Sequence, residues 1–220
     1  MKLNFTYNKD KDIWCLLNKD KSSNNSQAST EQYQQLINKY GENPTAENTA
    51  IFVDEYITEN NIDIEKYIKN FQKDWENIST VFQKNAEAIF NVSLPTDVIV
   101  YLTINSRCPY SIQDKFFYVS LQSSQATKTI MHELWHFYTW YGLGIYQEEK
   151  LGKQKYNDIK EALTVLLNVE CKDLFPEGVI DIGYPQHQET RQLILNYWEK
   201  NKDIKRLWEY LVSSPTEPTF

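Results

Sequence analysis

Apolar residues recur at helical spacing through the first half of the chain, most clearly between residues 63 and 90. The repeated positions would line one face of a long helix: Ile64, Tyr67, Ile68, Phe71, Trp75, Ile78, Phe82 and Ile89. We interpret this aromatic stripe as core packing. Shorter helices are predicted over residues 31–40, after a cap at Ser29 or Thr30, and over residues 45–60. The polar residues 18–30 predict a loop.

The apolar pattern changes near residue 97. Residues 97–104 and 115–121 are rich in β-branched and aromatic side chains, which predicts two strands. A helix is then expected from a cap at Ser123 or Ser124 to about Tyr141, ended by Gly142 and Gly144. A short extended piece is predicted over residues 179–183, and further helices over 157–174, 188–200 and 204–211.

These elements predict an α+β fold with a small mixed sheet between mostly helical N- and C-terminal parts. We expect a helical N-terminal region over residues 1–90 and a region of strands and helices over residues 91–220, either separate or in one continuous domain.

Composition and charge limit the possible partners. The 220-residue chain has a formal net charge of −7, and its basic residues form no stripe, which argues against a nucleic-acid partner. We find neither a signal peptide nor an apolar run of the roughly 18 residues that a membrane span needs. Three widely spaced cysteines predict no disulfide framework. We therefore expect a cytoplasmic protein without a membrane partner.

The clearest chemistry lies in the helix predicted after residue 123. A spacing of four places His132 and His136 one turn apart on one face, where both imidazoles can reach a single ion. Glu133 lies about 100° further around the helix and can act on a water molecule held by that ion. Imidazole nitrogen suits Zn²⁺. Because the flanking residues are uncharged, burial of this group without a metal would be costly. We therefore predict that this segment binds one zinc ion.

This segment resembles the active-site helix of the zincin metallopeptidases. Their extended pattern has Val or Thr three positions before the first histidine, here Thr129, and uncharged residues around both histidines. The resemblance covers about residues 97–165. It implies a zincin-like sheet whose edge strand, here residues 116–121, precedes the helix and aligns an extended substrate by backbone pairing.

A catalytic zinc usually has three protein ligands, and the residues after His136 that could supply the third are Asp158, Glu161, Glu170 and His187. Glu161 begins an apolar helical run and resembles the gluzincin ligand on the next helix. Asp158, one turn earlier on the same face, is the main alternative. The metzincin pattern of Gly and His soon after the motif is absent.

One position departs from the gluzincin pattern. Gluzincins have an Asp four positions after the ligand glutamate, which orients the first histidine, whereas this chain has Val165 there. The acceptor for His132 must come from elsewhere, such as Asn168, Asp158 or a backbone carbonyl.

Two further residues are candidates for stabilising the oxyanion that forms when water attacks a carbonyl. They are His187 and Tyr184, just ahead of the helix predicted at residue 188. The sequence thus predicts a zinc metallopeptidase that acts on a peptide or protein, with Glu133 as general base. The alternatives are a zincin-like module that binds zinc without cleaving peptides, and a purely structural zinc. The oligomeric state is not predicted.

Overall fold

Helices make up most of the chain, and four short strands form one sheet. The computed structural model describes residues 1–18, 30–94 and 97–213, and in these ranges the fold is α+β. The elements are β1 (Leu3–Tyr7), α1 (Lys9–Leu17), α2 (Glu31–Tyr40), α3 (Ala46–Glu59), α4 (Ile64–Phe90), β2 (Val98–Thr103), β3 (Tyr110–Ser111), β4 (Phe116–Ser120), α5 (Ala126–Thr139), α6 (Gln147–Leu151), α7 (Lys153–Leu163), α8 (Leu167–Glu170), α9 (Gln188–Lys200) and α10 (Ile204–Ser213).

Most of the predicted elements are confirmed. Thr30 and Thr45 cap α2 and α3, because each threonine hydroxyl accepts a hydrogen bond from a backbone N–H three residues later. Strands β2 and β4 and helices α4 and α9 lie where the hydrophobic pattern placed them. The predicted loop over residues 18–30 lies, apart from its two end residues, outside the described part of the chain.

Several elements were not predicted or differ from the prediction. The strand β1 and the helix α1 were not predicted. Strand β1 is held by pairing with a strand about 95 residues away, which a local sequence pattern does not show. The helix predicted over residues 157–174 begins earlier, at Lys153, and changes to a 3₁₀ turn over Thr164–Leu166. The residues predicted as extended at 179–183 form no strand.

The two glycines expected to end α5 have a different role. A π-helical turn, Trp140–Gly144, follows α5, so that helical backbone continues through both glycines. A side chain at Gly142 would press on Phe90, and one at Gly144 would collide with the hydroxyl of Tyr156. These glycines permit close packing rather than capping the helix.

The sheet has the order β1-β2-β4-β3. Strands β1, β2 and β4 run parallel, and β3 pairs antiparallel with β4 through Tyr110 opposite Phe117 and Ser111 opposite Phe116. The strand ahead of α5 is therefore interior, which corrects the expected edge strand at residues 116–121. The chain turns back on itself at Lys115, whose φ of 58° is left-handed, and this hairpin covers the start of β4 with β3.

The described residues divide into two compact units. The first comprises the described parts of Met1–Glu76 and Thr96–Ala126, and the second those of Asn77–Pro95 and Thr127–Phe220. The first unit contains β1 together with β2 and β4, because these strands form one sheet. None of the helices in the described ranges combines the length and the apolar character that crossing a membrane requires.

In the first unit, helix α1 packs against α3 and β2. The indole of Trp14 on α1 stacks on Tyr118 of β4, with ring centroids 5.8 Å apart. On the other face of the sheet from Tyr118, the side chains of β2 and β4 are almost fully buried: Val98, Val100, Leu102, Phe117 and Val119. Their burial is the main hydrophobic contribution of the sheet.

In the second unit, α5 packs against the C-terminal part of α4 through an aromatic cluster. Phe90 meets the indole of Trp135 edge-on at 5.1 Å and stacks on Tyr138 at 6.1 Å. This packing buries nearly every side of α5 and leaves the histidine face for other contacts.

The predicted core role of the aromatic stripe on α4 is confirmed at Phe71 and Trp75, in the part that belongs to the first unit, and at Phe82, in the part that belongs to the second. These three side chains are buried, while the aliphatic members of the stripe are half-buried.

Candidate metal centre

Helix α5 presents two histidines on one face. The imidazole rings of His132 and His136 lie one turn apart, with centroids 4.6 Å from each other and nearly perpendicular planes. The side chain of His136 is buried and that of His132 retains 19% of its exposure, so solvent reaches the site from the His132 side. The spacing of four residues therefore brings both rings to one place, as the helical period requires.

Glu161 of α7 faces both histidines. The Nε2 atoms of His132 and His136 lie 3.5 Å and 3.3 Å from its two carboxylate oxygens. The indole N–H of Trp135 donates to the carbonyl of Leu163 at 3.1 Å, which fixes α5 against α7 near this point. One donor atom from each of His132, His136 and Glu161 falls within 4.8 Å of the others.

Asp181 orients the first histidine. Its Oδ2 lies 2.6 Å from Nδ1 of His132, so that Nδ1 carries the proton and Nε2 is left for an ion. The acceptor for His132 is thus Asp181, and this corrects the expectation of Asn168, Asp158 or a backbone carbonyl. Asn168 instead anchors Asp181, because its side-chain amide bonds both the backbone N–H and the carbonyl of Asp181, at 2.7 Å and 2.8 Å.

The other oxygen of Asp181 is held just as firmly. Oδ1 accepts from the hydroxyl of Thr164 at 2.9 Å and pairs with the guanidinium of Arg191 at 3.0 Å. Gly183 allows this arrangement, since its φ is +66° and a side chain there would collide with the guanidinium. Asp181 is nearly fully buried and almost saturated with hydrogen bonds, which keeps it ionised and fixed.

Lys160 is a buried residue that the sequence analysis did not identify. Its Nζ lies 3.2 Å from Oε1 of Glu161, and only 2% of the residue is exposed. The signal for its burial was available, because its helical neighbours Tyr156 and Leu163 are apolar and buried. For Asp181, the sequence signal for a special role was its position as a single acidic residue between two isoleucines.

Glu133 differs from the other acids of the site. Its carboxylate is buried, and its Oε2 has no hydrogen-bond partner among the residues that the structure describes. The pKa of Glu133 is raised to about 7: burial is the largest cause and the negative charges of Glu161 and Asp181 add to it, while His132 and Lys160 oppose the rise. A carboxyl with a pKa near neutrality is suited to accepting and returning a proton.

The two histidines respond differently to the same burial. Burial lowers the pKa of His136 to about 4, so this imidazole is neutral at physiological pH and can act as a ligand. Burial also acts to lower the pKa of His132, but the hydrogen bonds to Asp181 and Glu161 outweigh it and raise that pKa to about 10, so a metal ion bound at Nε2 would displace the proton that this nitrogen shares with Glu161. For Glu161, burial is outweighed by the charge and hydrogen bonds of the histidines, so its pKa is lowered.

The remaining candidates lie outside this group. Asp158, the alternative third ligand, accepts from Nε2 of His187 at 3.1 Å. Glu170 binds Lys202 and the indole of Trp198. His187 is buried, and its ring meets that of the half-exposed Tyr184 edge-on at 5.8 Å. Because Asp158 and Glu161 are three residues apart on α7, the pair formed by Asp158 and His187 lies about one helical turn from the proposed third ligand.

The residues present fit a bound metal ion. In a tetrahedral site with bonds of about 2.0–2.1 Å, neighbouring donor atoms are about 3.3 Å apart. The separations of 3.5 Å from His132 Nε2 to Oε2 of Glu161 and 3.3 Å from His136 Nε2 to Oε1 are each close to that value, and they involve different oxygens of the carboxylate. Two imidazoles and one carboxylate could hold zinc or another divalent transition metal, because these donors do not select one ion by themselves.

Comparison of the chain with protein-family models, with curated proteins and with solved structures gave no match.

Proposed function

We propose that this chain is a zincin-like zinc metallopeptidase in which His132, His136 and Glu161 hold one zinc ion and Glu133 is the general base. The proposal depends on one observation: Glu133 differs from Glu161 and Asp181 in the partners of its carboxylate. Glu161 and Asp181 each have a buried cation within 3.2 Å, whereas the Oε2 of Glu133 has no hydrogen-bond partner among the described residues. A buried carboxylate left in this state is costly for a purely structural role.

The zinc ion, when bound, would supply a Lewis acid that favours loss of a proton from water and polarises a carbonyl. The carboxylate of Glu133 accepts the proton of the attacking water and then returns it to the leaving amine. Asp181 holds His132 in the tautomer that leaves Nε2 available. Oxyanion stabilisation by His187 or Tyr184 remains a prediction; Asp158 already occupies Nε2 of His187, so only Nδ1 is left for that role.

The proposed substrate is a peptide or protein, because a base of this kind beside a polarised carbonyl suits hydrolysis of an amide. The alternative is a zinc-binding module without peptidase activity. That module would have no use for a buried carboxylate next to the ligand pair, since zinc storage needs ligands alone.

The test is digestion of casein or a peptide library, with and without o-phenanthroline. We expect hydrolysis by the wild-type chain, its loss in the chelator, and its loss in Glu133→Gln, which should still bind zinc because its ligands are intact. Glu189→Gln is the matched control, since that carboxylate is exposed at the start of α9. Undiminished hydrolysis by Glu133→Gln would refute the role of Glu133. Zinc binding without hydrolysis in the wild type would favour the non-peptidase module.

A further inference from the structure

Lys160 and Arg191 are buried in the described part of the second unit, and they are placed differently relative to the proposed ligands. Arg191 pairs with Asp181, which contacts the candidate metal site only through the far nitrogen of His132. Lys160 pairs with Glu161, which is itself a proposed ligand. One cation therefore supports the scaffold around the site, and the other lies directly against a ligand atom.

The atom that Lys160 contacts also faces a histidine. Oε1 of Glu161 lies 3.2 Å from Nζ of Lys160 and 3.3 Å from Nε2 of His136. An ion held between His136 and this oxygen would have an ammonium group as a near neighbour. Like charges repel strongly in an environment from which water is largely excluded, and the side chain of Lys160 is only 3% exposed.

We infer that Lys160 limits the affinity of this chain for its metal ion, by competing for Oε1 of Glu161 and by placing a positive charge beside the ion. This inference rests on the metal-binding part of the proposed function.

A purely structural role for Lys160 predicts no gain in metal affinity when this residue is replaced. If Lys160 only held the Glu161 carboxylate in place, its removal would leave a looser ligand and weaker metal binding. If Lys160 only compensated a buried charge, its removal would lower the stability of the fold and leave the metal affinity of the folded chain unchanged. A gain in affinity follows from neither role, and the sign of the change separates them.

The experiment is a Zn²⁺ titration of the full chain in competition with a chromophoric chelator. Lys160→Gln removes the charge and keeps an N–H donor for Oε1, and Lys160→Met removes the charge at similar volume. We expect both to bind zinc at least about tenfold more tightly than the wild type, because they remove repulsion from a neighbouring charge at short range. Lys160→Arg keeps the charge and is the matched control, with affinity close to that of the wild type.

Unchanged or weaker zinc binding by the folded neutral variants would overturn the inference, and circular dichroism establishes folding for each variant. Lys160→Gln retains a hydrogen-bond donor and Lys160→Met retains the side-chain volume, so a gain in affinity in both variants would follow from loss of the charge. Failure here leaves the peptidase proposal intact if the wild type binds zinc and Glu133→Gln loses hydrolysis. A wild-type chain that binds no zinc would overturn both.

Discussion

At the residue scale, the acids around the histidines differ in their neighbours. Asp181 is fixed by Thr164, Asn168 and Arg191, and Glu161 is paired with Lys160. Glu133 is adjacent to His132 in sequence, yet it is the acid whose pKa rises to about 7 through burial. Neighbouring carboxylates in different surroundings are thereby suited to the different roles that we propose, one as ligand, one as orienting group and one as base.

The orienting role predicts the effect of Asp181→Asn. An amide can donate to Nδ1 of His132, which favours the tautomer with a proton on Nε2 and blocks that nitrogen as a ligand. We expect the zinc affinity to fall by about 10–100-fold. A chelator-competition titration measures it. Asp173→Asn, an exposed acid in the same unit, is the control and should bind zinc normally. Equal affinities for the two variants would contradict the orienting role.

At the element scale, the parts that follow from local pattern were predictable. Helix α5 was predicted because its apolar spacing and its histidine spacing are both local properties of the sequence. The same holds for Glu161, which lies near the end of α7 and begins an apolar run that continues into the following 3₁₀ turn. These two helices supply all three proposed ligands, and so the grouping of these three side chains could be predicted from the sequence.

The parts that depend on distant pairing were not predictable. Asp181 reaches His132 across 49 residues from a segment without regular structure. The strand β3 that covers the start of β4 has only two residues, which is too short for a strand pattern. Local periodicity carries no information on such contacts, so the orienting acid was missed and the interior strand was expected at an edge.

One contact between elements makes a prediction on pH. Asp12 ties α1 to the end of β2, because its buried carboxylate accepts from the hydroxyl of Thr103 and from the backbone N–H of Ile104. Burial raises the pKa of Asp12 to about 6, although these hydrogen bonds oppose the rise. The folded chain thus holds this proton more tightly than the unfolded chain, whose pKa is 3.8. The contribution to stability is complete below pH 3.8 and is lost as the pH rises through about 6.

The test compares Asp12→Asn with the wild type by urea unfolding between pH 4 and pH 7. The variant lacks this titration, so the free energy of unfolding of the wild type should fall relative to that of the variant by up to about 3 kcal/mol over this range. Asp10→Asn, an exposed acid on the same helix, should follow the wild type. A constant difference between Asp12→Asn and the wild type would show that Asp12 does not titrate in this way.

At the scale of the whole molecule, all the proposed catalytic and ligand residues belong to the second unit, which contains α5, α7 and α9. The first unit contains the sheet. In the described residues, the group of His132, His136 and Glu161 is the one set of three metal-binding side chains with donor atoms this close. One chain is therefore expected to bind one ion.

The metal content of the purified chain after equilibrium dialysis against Zn²⁺ shows whether His132 and His136 hold an ion. We expect one zinc ion per wild-type chain, detected by inductively coupled plasma mass spectrometry, and loss of that ion in folded His132→Ala and His136→Ala. A wild-type chain without bound metal, or variants that retain the full zinc content, would contradict it.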